Sequence, residues 1–211
     1  MTKPIGILGG TFDPVHHGHL RLAVEVYQSL DLAEIRLIPV HTPPHRQPPV
    51  ASAKQRLAML RIAVEGSAGL VVDEREVTRG NTSYTIDTLK SLRAEMGNIS
   101  LCLIMGMDAF QSLNTWHDWI SIPDYTHIIL ADRTDDDAVF ENAEIRDFYS
   151  RRIHHNESAL RSGAGKILKI DVPVLEISAS RIRALCSMEK DAKYLLPDGV
   201  MDYIKQEALY L

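Results

Sequence analysis

Short apolar runs alternate along this chain with longer segments of helical periodicity, and this alternation limits the fold more than any other feature. The runs rich in Ile, Val and Leu are "PIGILGG" (4–10), "IRLIPV" (35–40), "LVVDEREV" (70–77), "ISLCLIMG" (99–106), "THIILADR" (126–133) and "KILKIDV" (166–172). Most are apolar on successive residues, which is typical of strands covered on both faces. Helices are predicted over 18–30, 52–65, 84–96, 139–150, 179–187 and 199–209. The order predicts an α/β fold: a doubly wound, mainly parallel sheet with helices on both faces.

In a Rossmann-like sheet of this kind, ligands bind beyond the carboxyl ends of the strands, where the strand order reverses. At 211 residues and 45% hydrophobic composition, the chain can bury one good core. We therefore predict a single domain over 1–211, in which the C-terminal part (about 174–211) is a small helical subregion packed on the rest.

Charge and cysteine content narrow the class of partner and the compartment. A net charge of −5 predicts no broadly cationic face, which argues against nucleic acid or an anionic membrane as partner. Cys102 and Cys186 are far apart and fit neither a disulfide framework nor a thiolate zinc site. The sequence shows no signal peptide and no apolar run of about 18 residues. We expect a cytoplasmic protein that does not bind membranes.

The stretch "GILGGTFDPVHHGHLRLA" (6–23) joins a predicted strand to a predicted helix through paired glycines and a histidine cluster. Gly9 and Gly10 stand where the chain must turn sharply and let an anion approach its amides. The spacing fits neither the dinucleotide fingerprint nor the P-loop. His16 and His19 can share one face at the start of the helix, beside the partial positive charge of its free amides. Together these features favour a phosphate site.

Two other interpretations of the histidine cluster stay open. His16, His17 and His19 could bind zinc, as in a zinc hydrolase, although the spacing is not H-E-x-x-H and no motif marks a third ligand elsewhere. The cluster could also be an ordinary surface or core feature.

Two motifs together carry a family resemblance. "GGTFDPVHHGH" resembles the His-x-Gly-His box of a nucleotidyltransferase superfamily, with His16, Gly18 and His19 in the box. "ISASRIR" (177–183) resembles the second signature of that superfamily, with Ala179 and Ser180 replacing a Ser and a Thr. Taken alone, this second element would be an ordinary capped helix. Both motifs follow a predicted strand and open a helix.

Within the superfamily, the chain resembles the bacterial nicotinate mononucleotide adenylyltransferases nearly end to end. The matching stretches are "PVHTPPHR", "SYTIDTL", "IMGMDAFQSLNTWHDW" and "ILADR". The phosphopantetheine adenylyltransferases are shorter and carry Thr where His16 stands. The resemblance implies transfer of the adenylyl group of ATP to nicotinate mononucleotide, giving nicotinate adenine dinucleotide and pyrophosphate. It implies these two small molecules as partners, Mg²⁺ bound mainly through the ATP phosphates, no metal ligand from the protein, and a possible homo-oligomer.

The resemblance also implies roles for individual residues. The catalytic residues would be His16, His19 and Arg183. The ATP-binding residues would be Gly9, Gly10, Thr11, Phe12, Gly18, Gly106, Asp108, Ile177, Ser178 and Ser180. The mononucleotide-binding residues would be His45, Arg46, Thr85, Trp116, His117 and Arg133.

Several of these residues have a second interpretation. Asp108 could accept from the ribose hydroxyls or adenine of ATP and could cap the helix that follows, and both roles can coexist. Trp116 could stack on the pyridinium ring or simply pack in the core. Many family members carry Tyr at the position of His117, so this edge of the pocket can differ. The loop of His45 and Arg46, and Arg133, could be surface features.

Three further functions compete with the one that the resemblance implies. Adenylyl transfer to nicotinamide mononucleotide or to phosphopantetheine would change the acceptor alone. A non-catalytic nucleotide sensor would keep the fold and lose the reaction. A zinc hydrolase would use the histidine cluster.

Overall fold

The structure, a computed structural model, describes residues 2–44, 47–132, 140–161, 163–173 and 175–211. In these residues one sheet holds the strands β1 (Ile5–Gly10), β2 (Glu34–Pro39), β3 (Leu70–Val72), β4 (Leu101–Gly106), β5 (His127–Asp132), β6 (Ile153–His154) and β7 (Ile167–Asp171). The strand order is β3-β2-β1-β4-β5-β7-β6, and neighbouring strands run parallel. The predicted α/β fold with a mainly parallel sheet is confirmed.

Helices connect the strands. They are α1 (His17–Ser29), α2 (Ala53–Val64), α3 (Arg75–Arg79), α4 (Thr85–Met96), α5 (Met107–Gln111), α6 (Ala143–Ser150), α7 (Ala179–Ser187) and α8 (Asp198–Gln206). Short 3₁₀ turns cover Leu113–Thr115, Trp119–Asp124 and Glu157–Arg161. None of the helices in the described residues is long and apolar enough to cross a membrane.

The predicted strand over 70–77 is wrong beyond Val72. The Asp73 carboxylate accepts a hydrogen bond from the backbone N–H of Arg75 at 3.1 Å, and α3 begins there instead. Gly80, at a φ of 75°, ends this short helix. A local side-chain bond to the backbone competes with strand pairing, and the alternation of apolar residues does not reveal it.

The other helix boundaries differ by a few residues. Within the predicted segment 139–150, α6 begins at Ala143, because Asn142 caps it by accepting from the N–H of Glu144 at 2.8 Å; residue 139 lies outside the described residues. The predicted helix 199–209 ends at Gln206. Beyond it Ala208 and Tyr210 have left-handed backbones, with φ of 51° and 65°. The elements α3, α5 and β6 are too short for sequence periodicity to detect.

The sheet has an apolar core on each face. One core includes Val26 of α1, Leu60 of α2, Ile182 of α7 and Ile204 of α8. The other includes side chains from α4, α5 and α6. Alternate residues of β1 serve the two cores, since Leu8 packs on the first and Ile7 on the second. The single-domain assignment and the subregion at about 174–211 stay predictions.

The strand order reverses beside β1. This strand pairs with β2 on one side and with β4 on the other, and the chain visits β2 and β3 before it returns to β4. The connections from β1 and β4 therefore leave in opposite directions, and a crevice opens above the carboxyl ends of the two strands.

Candidate active site

A cavity of about 320 Å³ occupies this crevice. Three elements supply much of its wall: the end of β1, the start of α4 and the end of β4 with the turn that follows. Residues predicted for the site that line it are Gly9, Gly10, Thr11, Thr85, Gly106, Trp116 and His117. Residues far apart in the sequence thus meet at the position that the parallel sheet predicts for a ligand.

The two histidines of the first motif lie beyond Thr11, at the start of α1. Their rings stack with centroids 3.7 Å apart and 26° between the planes. The Nδ1 atom of His19 accepts a hydrogen bond from the backbone N–H of His16 at 3.3 Å. A neutral imidazole carries one proton, so we infer that the proton of His19 is on Nε2, free to be donated.

Burial keeps both imidazoles uncharged. Burial, with a smaller contribution from the neighbouring His17, lowers the pKa of His16 to about 4. Burial likewise lowers the pKa of His19 to about 3, with a smaller contribution from His16. Near neutral pH each ring is therefore a neutral donor and not a cation.

This pairing does not favour a zinc site. The Nδ1 atom of His19 already accepts a backbone hydrogen bond, and the stacked rings do not converge on one point. In the described part of the chain, no three His, Cys, Asp or Glu side chains are placed to hold one metal ion. The geometry agrees better with donation to an anion.

Close packing explains why two of the three motif glycines, Gly10 and Gly18, have no room for a side chain. A Cβ on Gly10 would lie 2.9 Å from the ring of Phe12, which is buried and contacts His19 edge-on with ring centroids 5.0 Å apart. A Cβ on Gly18 would lie 2.9 Å from Nδ1 of His16. At Gly9 a Cβ would meet nothing within 4 Å, so open space adjoins the backbone there.

The second motif reaches the first. Ser178 caps α7 by accepting from the N–H of Arg181 at 3.3 Å, and its hydroxyl lies 3.2 Å from that of Ser180. Arg183 donates from Nη1 to the backbone carbonyl of Asp13 at 2.7 Å. Ile177, half-buried, donates its N–H to the carbonyl of Leu175 at 2.8 Å. A direct hydrogen bond therefore joins α7 to the loop before α1, two residues after the cavity-lining Thr11.

Asp13 is a contact point that the sequence analysis missed. Its carboxylate accepts from the N–H of Val50 at 2.8 Å, the N–H of Ala51 at 3.1 Å and the hydroxyl of Tyr210 at 2.7 Å. Asp13 stands inside the first motif, which could have drawn attention to it. No pattern in the sequence singles out Tyr210.

Arg56 is a second residue that the sequence analysis missed. It is fully buried, and it donates to the carbonyls of Ala51 at 3.2 Å, Thr11 at 2.7 Å and His41 at 3.0 Å. It therefore joins the loops that follow β1 and β2. An arginine within a helical pattern is normally predicted to lie on the surface. The sequence therefore gives no signal that Arg56 is buried and joins two loops.

Buried polar side chains also line the cavity, and these too were missed. Glu76 accepts from the hydroxyl of Thr88 at 2.6 Å, and its other carboxylate oxygen has no hydrogen-bond partner among the described residues. Burial raises its pKa. Ser83 accepts from the backbone N–H of His41 at 3.0 Å. Glu76 fell within the segment wrongly predicted as a strand.

Trp116 and His117 also line the cavity. Trp116 is half-buried, and the ring of His117 lies 4.5 Å from that of Tyr84. The prediction that Asp108 caps its helix is wrong, because Gly106 holds the cap position of α5. Asp108 is exposed in the first turn, and its contact with ATP stays a prediction.

Three predicted mononucleotide-binding residues, His45, Arg46 and Arg133, lie outside the described residues. Pro43 and Pro44, which precede the first two, line the cavity.

Comparisons with known proteins agree on one family. The Cytidylyltransferase-like family matches residues 7–185. A protein of Aeromonas salmonicida (strain A449) named probable nicotinate-nucleotide adenylyltransferase is 46% identical, over 100% of this chain and 98% of its own. One of the same name from Pseudomonas putida (strain GB-1) is 46% identical, over 99% of this chain and 95% of its own.

Among solved structures, Plasmodium falciparum nicotinic acid mononucleotide adenylyltransferase complexed with NaAD aligns with a TM-score of 0.73 at 20% identity, covering 99% of this chain and 97% of that one. A putative nicotinate-nucleotide adenylyltransferase from Vibrio parahaemolyticus aligns with a TM-score of 0.66 at 13% identity, covering 99% and 96%. At these identities the likeness supports the fold. Since the full-length relatives share nearly half of their residues with it, this chain belongs to the Cytidylyltransferase-like family and, within it, to the nicotinate-nucleotide adenylyltransferases.

Proposed function

We propose that this protein transfers the adenylyl group of ATP to nicotinate mononucleotide, producing nicotinate adenine dinucleotide and pyrophosphate in NAD biosynthesis. The observation that carries the proposal is the meeting of both motif helices at the Asp13 loop, beside the cavity. The names of the full-length relatives supply the acceptor.

The reaction needs no proton to be removed by the protein. A phosphate oxygen of the mononucleotide forms a bond to the α-phosphorus of ATP, while the bond from that phosphorus to the bridging oxygen breaks. The electron pair leaves with pyrophosphate. The protein has to bring two anions into line and stabilise the charge that develops on the phosphoryl oxygens.

The motif residues supply two kinds of hydrogen-bond donor for this task, neutral and positively charged. His16 and His19 donate neutral N–H groups, which stabilise negative charge without the cost of burying cations. Arg183 adds a full positive charge for the β and γ phosphates. One Nη1 hydrogen of Arg183 is used by Asp13, and the planar guanidinium has four more donors to offer. Ser178 and Ser180 present exposed hydroxyls at the start of α7.

Mg²⁺ would arrive with ATP and neutralise the departing pyrophosphate. The donor set agrees with this arrangement. Each oxygen of the Asp13 carboxylate accepts hydrogen bonds, and the described residues hold no cluster of three metal ligands. The phosphates would therefore be the main ligands of the ion.

The cavity suits the pyridine end of the mononucleotide. Its wall is mostly apolar, and Trp116 offers a flat face for an electron-poor ring. Thr85 and the backbone near His117 are our candidates for the substrate carboxylate. His45, Arg46 and Arg133 are our candidates for its phosphate, and Asp108 for the ATP ribose.

The test is to incubate the protein with ATP and Mg²⁺ and either nicotinate mononucleotide, nicotinamide mononucleotide or phosphopantetheine. Chromatography follows the adenylylated product, and a coupled assay follows pyrophosphate. We expect turnover to be fastest with nicotinate mononucleotide. Faster turnover of another acceptor would overturn the substrate assignment, and ATP binding without pyrophosphate release would identify a sensor.

A further inference from the structure

The penultimate residue of the chain is buried against the loop of the first motif. Tyr210 is 7% exposed and belongs to the same apolar cluster as Phe12, Val15 and Ala51. The next residue, Leu211, is 78% exposed. The side chain of Tyr210 is therefore held inside the protein, whereas that of the neighbouring Leu211 lies outside.

The backbone conformation after α8 places the side chain of Tyr210 in the protein interior. After α8 the N–H of Leu209 donates to the carbonyl of Ile204 at 2.9 Å, which turns the chain back. Tyr210 itself has a φ of 65°, in the left-handed region that bulky residues rarely adopt. A buried side chain that holds its backbone in this region must make interactions that offset the strain.

The hydroxyl of Tyr210 donates to Oδ1 of Asp13 at 2.7 Å. The charged groups around this hydroxyl are Asp13, Arg183 and Arg56. Burial and the adjacent Asp13 raise the pKa of Tyr210, so the hydroxyl stays protonated and remains a donor at physiological pH.

A small displacement of Asp13 would also displace Arg183 and the loop that leads to the paired histidines. Its backbone carbonyl accepts from Arg183 at 2.7 Å, and it stands three residues before His16, in the loop that leads to the paired histidines. Its carboxylate is held by two N–H groups before α2 and by Tyr210. Removal of the tyrosine hydroxyl would leave Oδ1 with the N–H of Ala51 alone.

We propose that Tyr210 is a positioning residue, whose hydroxyl fixes Asp13 and through it the loop and the guanidinium that bind the ATP triphosphate. The inference rests on the proposed function and assigns a role in it to the end of the chain. Tyr210 itself touches no reacting atom. Its effect is on the geometry of the groups that do.

The test compares Tyr210→Phe, which removes only the hydroxyl, with Tyr203→Phe as a matched control. Tyr203 is half-buried on α8, in the same C-terminal segment, and makes no hydrogen bond to Asp13. The readouts are the Kd of ATP with Mg²⁺ by calorimetry, kcat, the KM of each substrate and Tm. Because small misplacements of bound phosphates slow transfer strongly, we expect Tyr210→Phe to lower kcat about ten-fold and weaken ATP binding about five-fold.

The KM of nicotinate mononucleotide should stay within about two-fold of the wild type, because neither Asp13 nor Tyr210 lines the cavity proposed for its pyridine ring. Tyr203→Phe should leave all four kinetic and binding values within about two-fold. A role in stability alone predicts a lower Tm with kcat and ATP affinity unchanged, and that result would overturn the proposal. Equal effects of the two variants would overturn it as well.

If Tyr210→Phe does not fold, hydrogen exchange of the wild type decides. ATP with Mg²⁺ should slow exchange in the peptide that contains Leu209 and Leu211, and unchanged exchange overturns the proposal. Failure of the proposed function has a different signature. A wild type that binds ATP but forms no dinucleotide with any acceptor refutes that function, while the ATP affinities still test Tyr210.

Discussion

At the scale of single residues, the chemistry that we propose for the site depends on two histidines that burial keeps neutral. A charged pair of stacked imidazoles would repel each other, and each would lose hydration in the folded protein. As neutral rings, they can stack 3.7 Å apart and still present N–H donors. As a consequence, the stability of the folded protein depends on these two histidines remaining unprotonated, and it decreases in acid.

Replacement of His19 by Ala removes one of these donors. We expect kcat to fall by about 10²–10³, as for the loss of one donor to a developing oxyanion, with the fold intact by circular dichroism. His17→Ala is the matched control, because His17 is two residues from His19 in the sequence and outside the stacked pair. A loss of only a few-fold in His19→Ala, or an equal loss in both variants, would remove His19 from the mechanism.

The neutral pair also predicts how stability depends on pH. An unfolded histidine titrates near pH 6.5, whereas the folded pKa values are about 4 for His16 and about 3 for His19. The folded pKa lies below the unfolded one, so this contribution is fully present above about pH 6.5 and is lost as pH falls toward the folded values. The free energy of unfolding should drop by about 1.4 kcal/mol per pH unit for each such histidine.

Urea unfolding at pH 7, 6 and 5 measures this slope. His19→Gln should have a clearly shallower slope than the wild type, because one of the two groups no longer titrates. His154→Gln, at an exposed position, should keep the wild-type slope. Identical slopes for the wild type and His19→Gln would show that burial does not hold His19 neutral.

At the scale of elements, the side chain of Asp73 determines that the chain after β3 forms a helix and does not continue as a strand. Asp73 binds the N–H of Arg75 and also lies 3.1 Å from Nη1 of Arg36 and 2.7 Å from Nη2 of Arg75. These contacts lower its pKa against the opposing effect of burial, so it remains an anion. The short α3 that results places Glu76 at the wall of the cavity.

Asp73→Ala should therefore destabilise the protein by about 1–3 kcal/mol, because it leaves two half-buried guanidinium groups and one N–H short of an acceptor. Glu95→Ala is the control, since Glu95 contacts the same two arginines from a side chain that is 49% exposed. It should cost less than about 1 kcal/mol. Equal losses in urea unfolding would mean that Asp73 acts only as one more surface charge.

At the scale of the whole molecule, buried polar contacts hold the loop between β1 and α1 to distant parts of the chain. Arg56 on α2 binds the loops after β1 and β2, and Tyr210 brings the C-terminus to Asp13. Tyr210 belongs to the core that includes side chains of α1, α2, α7 and α8, and Thr11, whose carbonyl accepts from Arg56, lines the cavity. The site is therefore braced by the helical layer on one face of the sheet.

Arg56→Met keeps most of the side-chain volume and removes every donor to the three carbonyls. We expect a loss of about 3 kcal/mol or more in the free energy of unfolding, since those buried acceptors would lose their partner. Arg21→Met removes an exposed ion pair with Glu25 on α1 and should cost less than about 1 kcal/mol. Comparable losses in chemical denaturation would argue that Arg56 does not brace these loops.

The sequence by itself determined the features that depend on local order. Alternating strands and helices fixed the parallel sheet, and the motifs around His16 and Arg183 marked the two helix starts that meet beside the cavity. The predicted strand 70–77 is wrong beyond Val72 because a hydrogen bond from the N–H of Arg75 to the Asp73 carboxylate outweighs a weak pattern. Local sequence patterns predict secondary structure and motif positions correctly where these depend on periodicity or spacing.

The tertiary structure alone decided which polar groups are buried and what they contact. Tyr210 and Asp13 lie at opposite ends of the chain, and Arg56 binds carbonyls of loops that periodicity cannot relate to one another. The neutrality of His16 and His19 likewise comes from burial by segments brought in from elsewhere. Burial and long-range hydrogen bonds depend on the packing of the whole chain, and no local pattern encodes them.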